Sequence, residues 1–284
     1  KFVIILYRLV NHTIGHLMEL IGLLDIQQSR AVYDGVLAQL EHDQPAAQLN
    51  VIRAARPYTV AAIAREWRKP IIYVTARVKR AYNVTQQFPV WLGDAYNVLR
   101  YTEPTPQFYE RAPWGDTVIR SRLEALAALM DDAAERPPIV VTSARALMQR
   151  TIPPSQFRRR TITLEPGQRW RIDQLLADWQ RLGYEGATVV TEPGQFSRRG
   201  GVIDVYPIAA EWPVRVDFFD DEIDTLRRFD PATQRSDLHL EGVVINPARE
   251  ALPDNTARIA RHLADWFTAL PDAEDDMTTP ATDY

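Results

Sequence analysis

From Leu49 to about Arg150 the apolar positions recur with two alternating periods, which predict strands and helices in turn. Leu49–Ile52 is a short, mostly apolar run. Tyr58–Trp67 has helical spacing behind Pro57, whose fixed φ suits a first turn. Ile71–Thr75 is a β-branched run, and Arg77–Phe88 reads as helical until Pro89, which lacks an N–H, stops it. Asn97–Tyr101 is another short strand. Asp116 then caps a long amphipathic helix with Val118, Ile119, Leu123, Leu126 and Met130 on one face. Pro137-Pro138 ends it, Ile139–Thr142 is a buried-type strand, and a short helix runs to Met148. Strands alternating with helices of this length predict a parallel α/β sheet.

The texture then changes. Pro153-Pro154 and the run Arg158-Arg159-Arg160 mark a boundary, the arginines reading as a solvated linker or as a phosphate contact. Beyond it come a strand (Thr161–Leu164), one helix (Ile172–Leu182) and mostly β pattern: Val189–Glu192, Val202–Tyr206, Val214–Phe219 and Ile223–Phe229. Pro-Gly, Arg-Gly-Gly, Trp-Pro and Asp-Asp punctuate these runs, so they form a small hairpin-rich α+β unit. Leu238–Ile245 reads as one more strand, a candidate to rejoin the first sheet. Asn255–Leu270 is a helix capped by Asn255.

Composition narrows the class. The chain has 284 residues, 46% hydrophobic and 25% charged, which is an ordinary soluble globular balance with length for two domains or one large one. It contains no cysteine, which excludes a disulfide framework, a thiol nucleophile, a Cys-ligated zinc and an iron–sulfur centre, and fits a cytoplasmic location. Lys1, Lys69 and Lys79 are the lysines among 33 basic residues; the rest are arginine, the better fork for carboxylates and phosphates. A net charge of -4 argues against a whole-surface nucleic-acid binder but leaves room for a local basic patch. Phe2–Leu24 is apolar, yet Arg8, His12, His16 and Glu19 interrupt it. Its longest uncharged apolar run, Phe2–Tyr7, is far short of the roughly 20 residues a membrane span needs. A buried or partner-packed helix is expected there, and no membrane association.

A parallel α/β domain invites a search for a nucleotide site. The strand-to-helix turn that would carry a P-loop reads Asn50-Val51-Ile52-Arg53-Ala54-Ala55-Arg56-Pro57-Tyr58-Thr59. It has no glycine to open the backbone and no lysine, and Pro57 removes an N–H where phosphate would rest. ATP hydrolysis is not expected. Asp220-Asp221-Glu222 after Val216-Asp217-Phe218-Phe219 imitates a magnesium-binding strand end, but reads as a tight turn between two strands. His12 and His16 form a helical i,i+4 pair without an HExxH pattern, and no G-x-S-x-G elbow is present.

The informative stretch is Pro193-Gly194-Gln195-Phe196-Ser197-Arg198-Arg199-Gly200-Gly201-Val202-Ile203-Asp204-Val205-Tyr206-Pro207: a turn, a strand, a glycine-permitted bend and a second strand. The strand that follows places Arg215, Asp217 and Phe219 on one face and Val214, Val216 and Phe218 on the other. The apolar set packs on the helix. The other face then shows arginine, carboxylate and aromatic side by side, either as a protein-binding surface or as a surface salt bridge between Arg215 and Asp217 or a neighbour.

These residues resemble the N-terminal, UvrB-like module of bacterial transcription-repair coupling factors. The likeness also rests on Arg215-Val216-Asp217-Phe218-Phe219-Asp220-Asp221-Glu222-Ile223-Asp224 and on Leu226-Arg227-Arg228-Phe229-Asp230-Pro231-Ala232-Thr233-Gln234-Arg235-Ser236, and covers roughly Leu49 to Pro253. The resemblance implies a degenerate helicase-like, P-loop-type parallel-sheet domain (1–158), an inserted β-rich UvrA-binding-like domain (159–236), and a return segment with a C-terminal helix (237–284). It implies UvrA as partner, RNA polymerase and DNA bound through other domains of a longer chain, and no cofactor here, ATP and magnesium being expected only for motor domains elsewhere. Arg199 is the first contact residue so implied, followed by Arg215, Asp217 and Phe219; Arg198 is one place over and expected to face the opposite way. UvrB's arginine after Tyr-Glu is replaced here by Gly186, and the first arginine of its string by Ser197. The alternative classes are a nucleotide-dependent UvrB-like DNA-damage helicase fragment and an arginine-driven nucleic-acid binder.

Overall fold

A computed structural model describes residues 24, 31–41, 49–104, 114–131 and 134–251. The helices expected before Leu24 and over Asn255–Leu270 lie outside these residues. The described elements begin with helices α1 (Ala31–Glu41) and α2 (Arg56–Trp67), followed by strand β1 (Ile71–Thr75), helices α3 (Val78–Thr85) and α4 (Phe88–Leu92), and β2 (Asn97–Tyr101). Helix α5 (Asp116–Met130), β3 (Pro138–Ser143) and helix α6 (Ala144–Leu147) complete this part.

β1, β3 and β2 form a parallel sheet in that order, with Ile71 and Val98 both in register with Ile139. β3 is central and every one of its six residues is buried, which is why Ile139, Val140 and Val141 run without alternation, while the buried Thr142 and Ser143 hydroxyls bond the Tyr101 carbonyl and Glu103. On one side Ala61, Ala62 and Ala64 of α2, Ala81 and Val84 of α3 and Phe88 of α4 pack with Ile139 and Val141. The small alanines let α2 approach closely. On the other side Ala125 of α5 joins Tyr101, Val140 and Ala146.

Three local expectations change. Leu49–Ile52 forms no strand, and Ile52 is exposed. Pro89 does not end a helix: α3 closes at Thr85, and Pro89 sits in the first turn of α4, where its missing N–H costs nothing. Gly115, not Asp116, is the N-cap of α5; Asp116 lies in the first turn, where its charge suits the helix dipole.

Helix α5 also buries Arg122 completely. Its guanidinium donates to the Thr102 carbonyl (2.9 Å), to the Tyr101 hydroxyl and to Glu250 (3.0 Å to Oε2), and its Cζ stands 4.0 Å from the Tyr101 ring centroid.

The expected linker folds into helix α7 (Pro154–Arg160), which buries Phe157 and carries Arg158, Arg159 and Arg160 in its last turn, where cations suit the dipole. β4 (Ile162–Leu164), helix α8 (Ile172–Arg181), β5 (Glu185–Gly186), β6 (Gln195–Arg199), β7 (Val202–Val205), β8 (Val214–Phe219), β9 (Glu222–Phe229), β10 (Ser236–His239) and β11 (Val243–Ile245) follow. β10-β9-β8-β7-β6-β5 is a six-stranded sheet, antiparallel except for the β5–β6 pair. The single strand expected over Leu238–Ile245 is therefore two. β10 pairs with β9, and β11 pairs antiparallel with β4, not with the parallel sheet. Val189–Glu192 is not a strand either; Val190 is instead buried against Tyr206 and Phe229.

Candidate protein-interaction face

The hairpin β6–β7 turns at Gly200, whose φ of +64° is a left-handed value that glycine adopts freely. The next residue has a different constraint: a Cβ on Gly201 would lie 3.1 Å from the Phe218 carbonyl oxygen, so the bend can nestle against β8. Register then distributes the side chains. Ile203 stands opposite Val216, which stands opposite Leu226, and all three are buried. With Val205 and Val214 they make the apolar face, and Trp179 of α8 meets Phe196 on it edge-on at 5.9 Å. On the opposite face Asp204 stands opposite Arg215, and Arg215 opposite Arg227, with Val202, Asp217 and Thr225 forming the next row.

Asp204 organises this second face. Its side chain is 1% exposed, and its two oxygens accept Nε and Nη2 of Arg215 at 2.7 and 2.9 Å. The same carboxylate accepts Nη2 of Arg199 at 3.0 Å. Arg215 is further held by the Gln234 carbonyl at 3.3 Å and lies 4.9 Å from the Phe229 ring centroid. Asp217 separately accepts Arg227 Nη2 at 2.8 Å and the Thr225 hydroxyl at 2.8 Å. The hydrogen bonds to Asp204 raise the Arg215 pKa further above its ordinary value, against the opposing effect of burial, so the fork stays charged at any working pH.

Four of the five sequence-predicted residues thus share one face: Arg199, Arg215, Asp217 and Phe219. Of the partners expected for Arg215, Asp217 or a neighbour, it takes the neighbour Asp204 directly across the sheet, while Asp217 pairs with Arg227. Arg198 points the other way, as its place in the pleat requires, and pairs with Asp173 of α8 at 2.5 Å. Arg199 remains 55% exposed and Phe219 is 81% exposed, so an anchored cation and an uncovered aromatic ring are both presented to solvent. Asp204 is the residue that sequence reasoning missed. The available signal was a lone carboxylate between Ile203 and Val205 in an otherwise apolar strand.

Asp220-Asp221 is the two-residue connection between the paired residues Phe219 and Glu222, so the magnesium-site imitation is a turn. Among the described residues no cluster of carboxylates and imidazoles could hold a metal ion, and no helix is long and apolar enough to cross a membrane.

Residues 162–250 match the family model of the UvrB interaction domain. Over 207 residues, 72% of the chain, the sequence is 33% identical to the transcription-repair-coupling factor of Bacillus subtilis, of which it covers 17%. It is 34% identical over 236 residues to that of Mycobacterium bovis (81% of this chain, 19% of that protein) and 30% identical over 213 residues to that of Escherichia coli (75% and 18%). The chain is a relative of the transcription-repair-coupling factors. It spans under a fifth of the length of these curated relatives.

The UvrB interaction domain begins at β4 and ends at Glu250, so the polar face of the six-stranded sheet lies wholly inside it. The β4–β11 pair joins the two ends of the matched stretch, and Glu250 ties its last residue to Arg122 on α5. The β6–β7 and β8–β9 hairpins turn at the same end of the sheet, the Phe218 N–H donating to the Gly201 carbonyl at 2.8 Å, so Arg199 and Phe219 lie at neighbouring hairpin ends.

Proposed function

We propose that this chain is a non-catalytic interaction module of a transcription-repair coupling factor, which recruits UvrA during transcription-coupled nucleotide excision repair. Arg199 would be the main contact, donating its free N–H groups to a carboxylate of UvrA, with Phe219 packing against an apolar patch beside it. Arg215 and Asp217 act from behind, holding the face in register. Arg198, tied to Asp173 on the reverse of the sheet, contributes least. The parallel-sheet part is read as a degenerate helicase-like domain. RNA polymerase, DNA and ATP-driven translocation would belong to other segments of a longer protein.

The observation that carries this reading is the double hold of buried Asp204 on Arg215 and Arg199, which leaves Arg199 half-exposed but aimed. A fixed guanidinium loses little freedom on binding, and arginine and aromatic residues dominate interface energies. The test is capture of purified UvrA by the chain and by the Arg199→Ala and Phe219→Ala variants. Each substitution should weaken binding by about tenfold or more, equivalent to about 1.4 kcal/mol. Undiminished capture by both variants refutes the assignment of the site.

A further inference from the structure

A second cluster of arginines lies away from the interaction domain, at the carboxyl end of β1. There the Thr75 hydroxyl donates to the Arg77 carbonyl at 2.9 Å and shapes the turn into α3. The turn before α2 lies alongside, because Arg80 Nη2 donates to the Arg53 carbonyl at 2.9 Å. Between the two turns is a cleft of about 370 Å³, lined by Arg53, Arg56, Arg77 and Arg80 with Tyr73 and Thr75.

Many arginines elsewhere among the described residues are neutralised locally. Arg100, Arg120, Arg122, Arg198, Arg199, Arg215, Arg227 and Arg228 each meet a carboxylate. Among the described residues, no carboxylate lines the cleft and none of its four arginines is in an ion pair. Four like charges gathered around one cavity repel one another, and a compact polyanion would relieve that repulsion. The first turn of α3, which has no proline, borders the same cleft and adds a positive helix end.

We propose that this cleft binds an oligophosphate group through arginine forks, without a metal ion and without turnover. Guanidinium groups match phosphate oxygens in pairs, and a tripolyphosphate concentrates several charges within the span of one cleft. A duplex spreads its charge, about one per 1.7 Å of axis, and an acidic peptide spreads its carboxylates along a backbone. With no carboxylate in the lining to hold magnesium, a metal on the phosphates would compete with the arginines for the same oxygens. The site lies on a different sheet from the UvrA reading and stands or falls separately from it.

Calorimetric titration of the chain with sodium tripolyphosphate tests this, with parallel titrations of ADP, a short DNA duplex and a glutamate-rich peptide. Saturable one-site binding is expected. It should weaken on adding magnesium and drop by about tenfold or more in the Arg56→Ala/Arg77→Ala double variant, whose side chains are exposed. ADP binding that tracks tripolyphosphate would make a nucleotide tail the source; tripolyphosphate alone would make it an inorganic one. An Arg56→Lys/Arg77→Lys variant keeps the charge and removes the fork; intermediate weakening is expected, and this variant decides the matter if the alanine pair melts early. No heat with tripolyphosphate, undiminished binding by both variants, a requirement for magnesium, or use of these arginines by duplex or peptide but not by tripolyphosphate would each overturn the proposal.

Discussion

Replacing Asp204 with alanine should damage the candidate interaction face more than any other single change, and the structure says by how much. Asp204 is 1% exposed and satisfies three guanidinium N–H groups, two from Arg215 and one from Arg199. Its removal leaves Arg215, only 17% exposed, as a cation over the Phe229 ring with one remaining hydrogen bond to a carbonyl. Breaking a buried pair by deleting one member costs about 3–5 kcal/mol. Because Arg215 retains some exposure and can recruit water, the expected loss falls below that range, at about 2–3 kcal/mol. Arg215→Ala should cost similarly, since it leaves the buried carboxylate with Arg199, 55% exposed, as its remaining cation. Both groups leave together in the double variant, so it should be less destabilised than the sum, with a coupling of about 1.5–3 kcal/mol. Urea unfolding followed by circular dichroism measures all three variants. A coupling near zero, or an Asp204→Ala midpoint equal to the parent's, would refute the claim that this pair is what holds the face. Capture of UvrA adds a second readout: Asp204→Ala should weaken it even where the protein remains folded, because Arg199 loses its anchor.

Glu250→Gln removes the charge opposite the fully buried Arg122 and should destabilise the chain by about 3–5 kcal/mol, read as a lower urea midpoint; an unchanged midpoint would mean that the two Tyr101 and Thr102 contacts suffice. Trp179→Ala empties the space between α8 and Phe196 and should cost about 3–5 kcal/mol by the same assay, with Trp212→Ala, a partly exposed ring, costing much less. Asp237 hydrogen-bonds Arg228, which holds its carboxyl below the ordinary range. A depressed folded pKa contributes stability above the unfolded value and loses it as pH falls through the folded one. The carbon-13 titration midpoint of Asp237 should therefore lie below that of an unpaired aspartate and return upward in Arg228→Gln.

Periodicity alone located the elements whose character is local. Ile71–Thr75, Asn97–Tyr101 and Val214–Phe219 are strands with the expected ends, since β-branched runs and alternation are properties of neighbouring residues. Alternation also settled which side chains of β8 share a face, and why Arg198 and Arg199 oppose each other. The Asp-Asp turn was legible because two short polar residues between paired strands leave no other path.

What lay beyond the sequence was everything that depends on a partner distant along the chain. Arg215 sits two residues from Asp217 but bonds Asp204, eleven residues upstream, because antiparallel register puts Asp204 directly across from it. Val190 sits in strand-like sequence yet spends its apolar surface on Tyr206 and Phe229, and Leu238–Ile245 divides because its two ends find different strands, β9 and β4. Arg122 falls by helical spacing among Val118, Ile119 and Leu126, and a charge can stand on that inward face only because Glu250, Tyr101 and Thr102 converge on it. Local pattern determines which faces a segment can offer. Which face is filled, and by what charge, is decided by register and by contacts across the chain, whose energies no window of neighbouring residues contains.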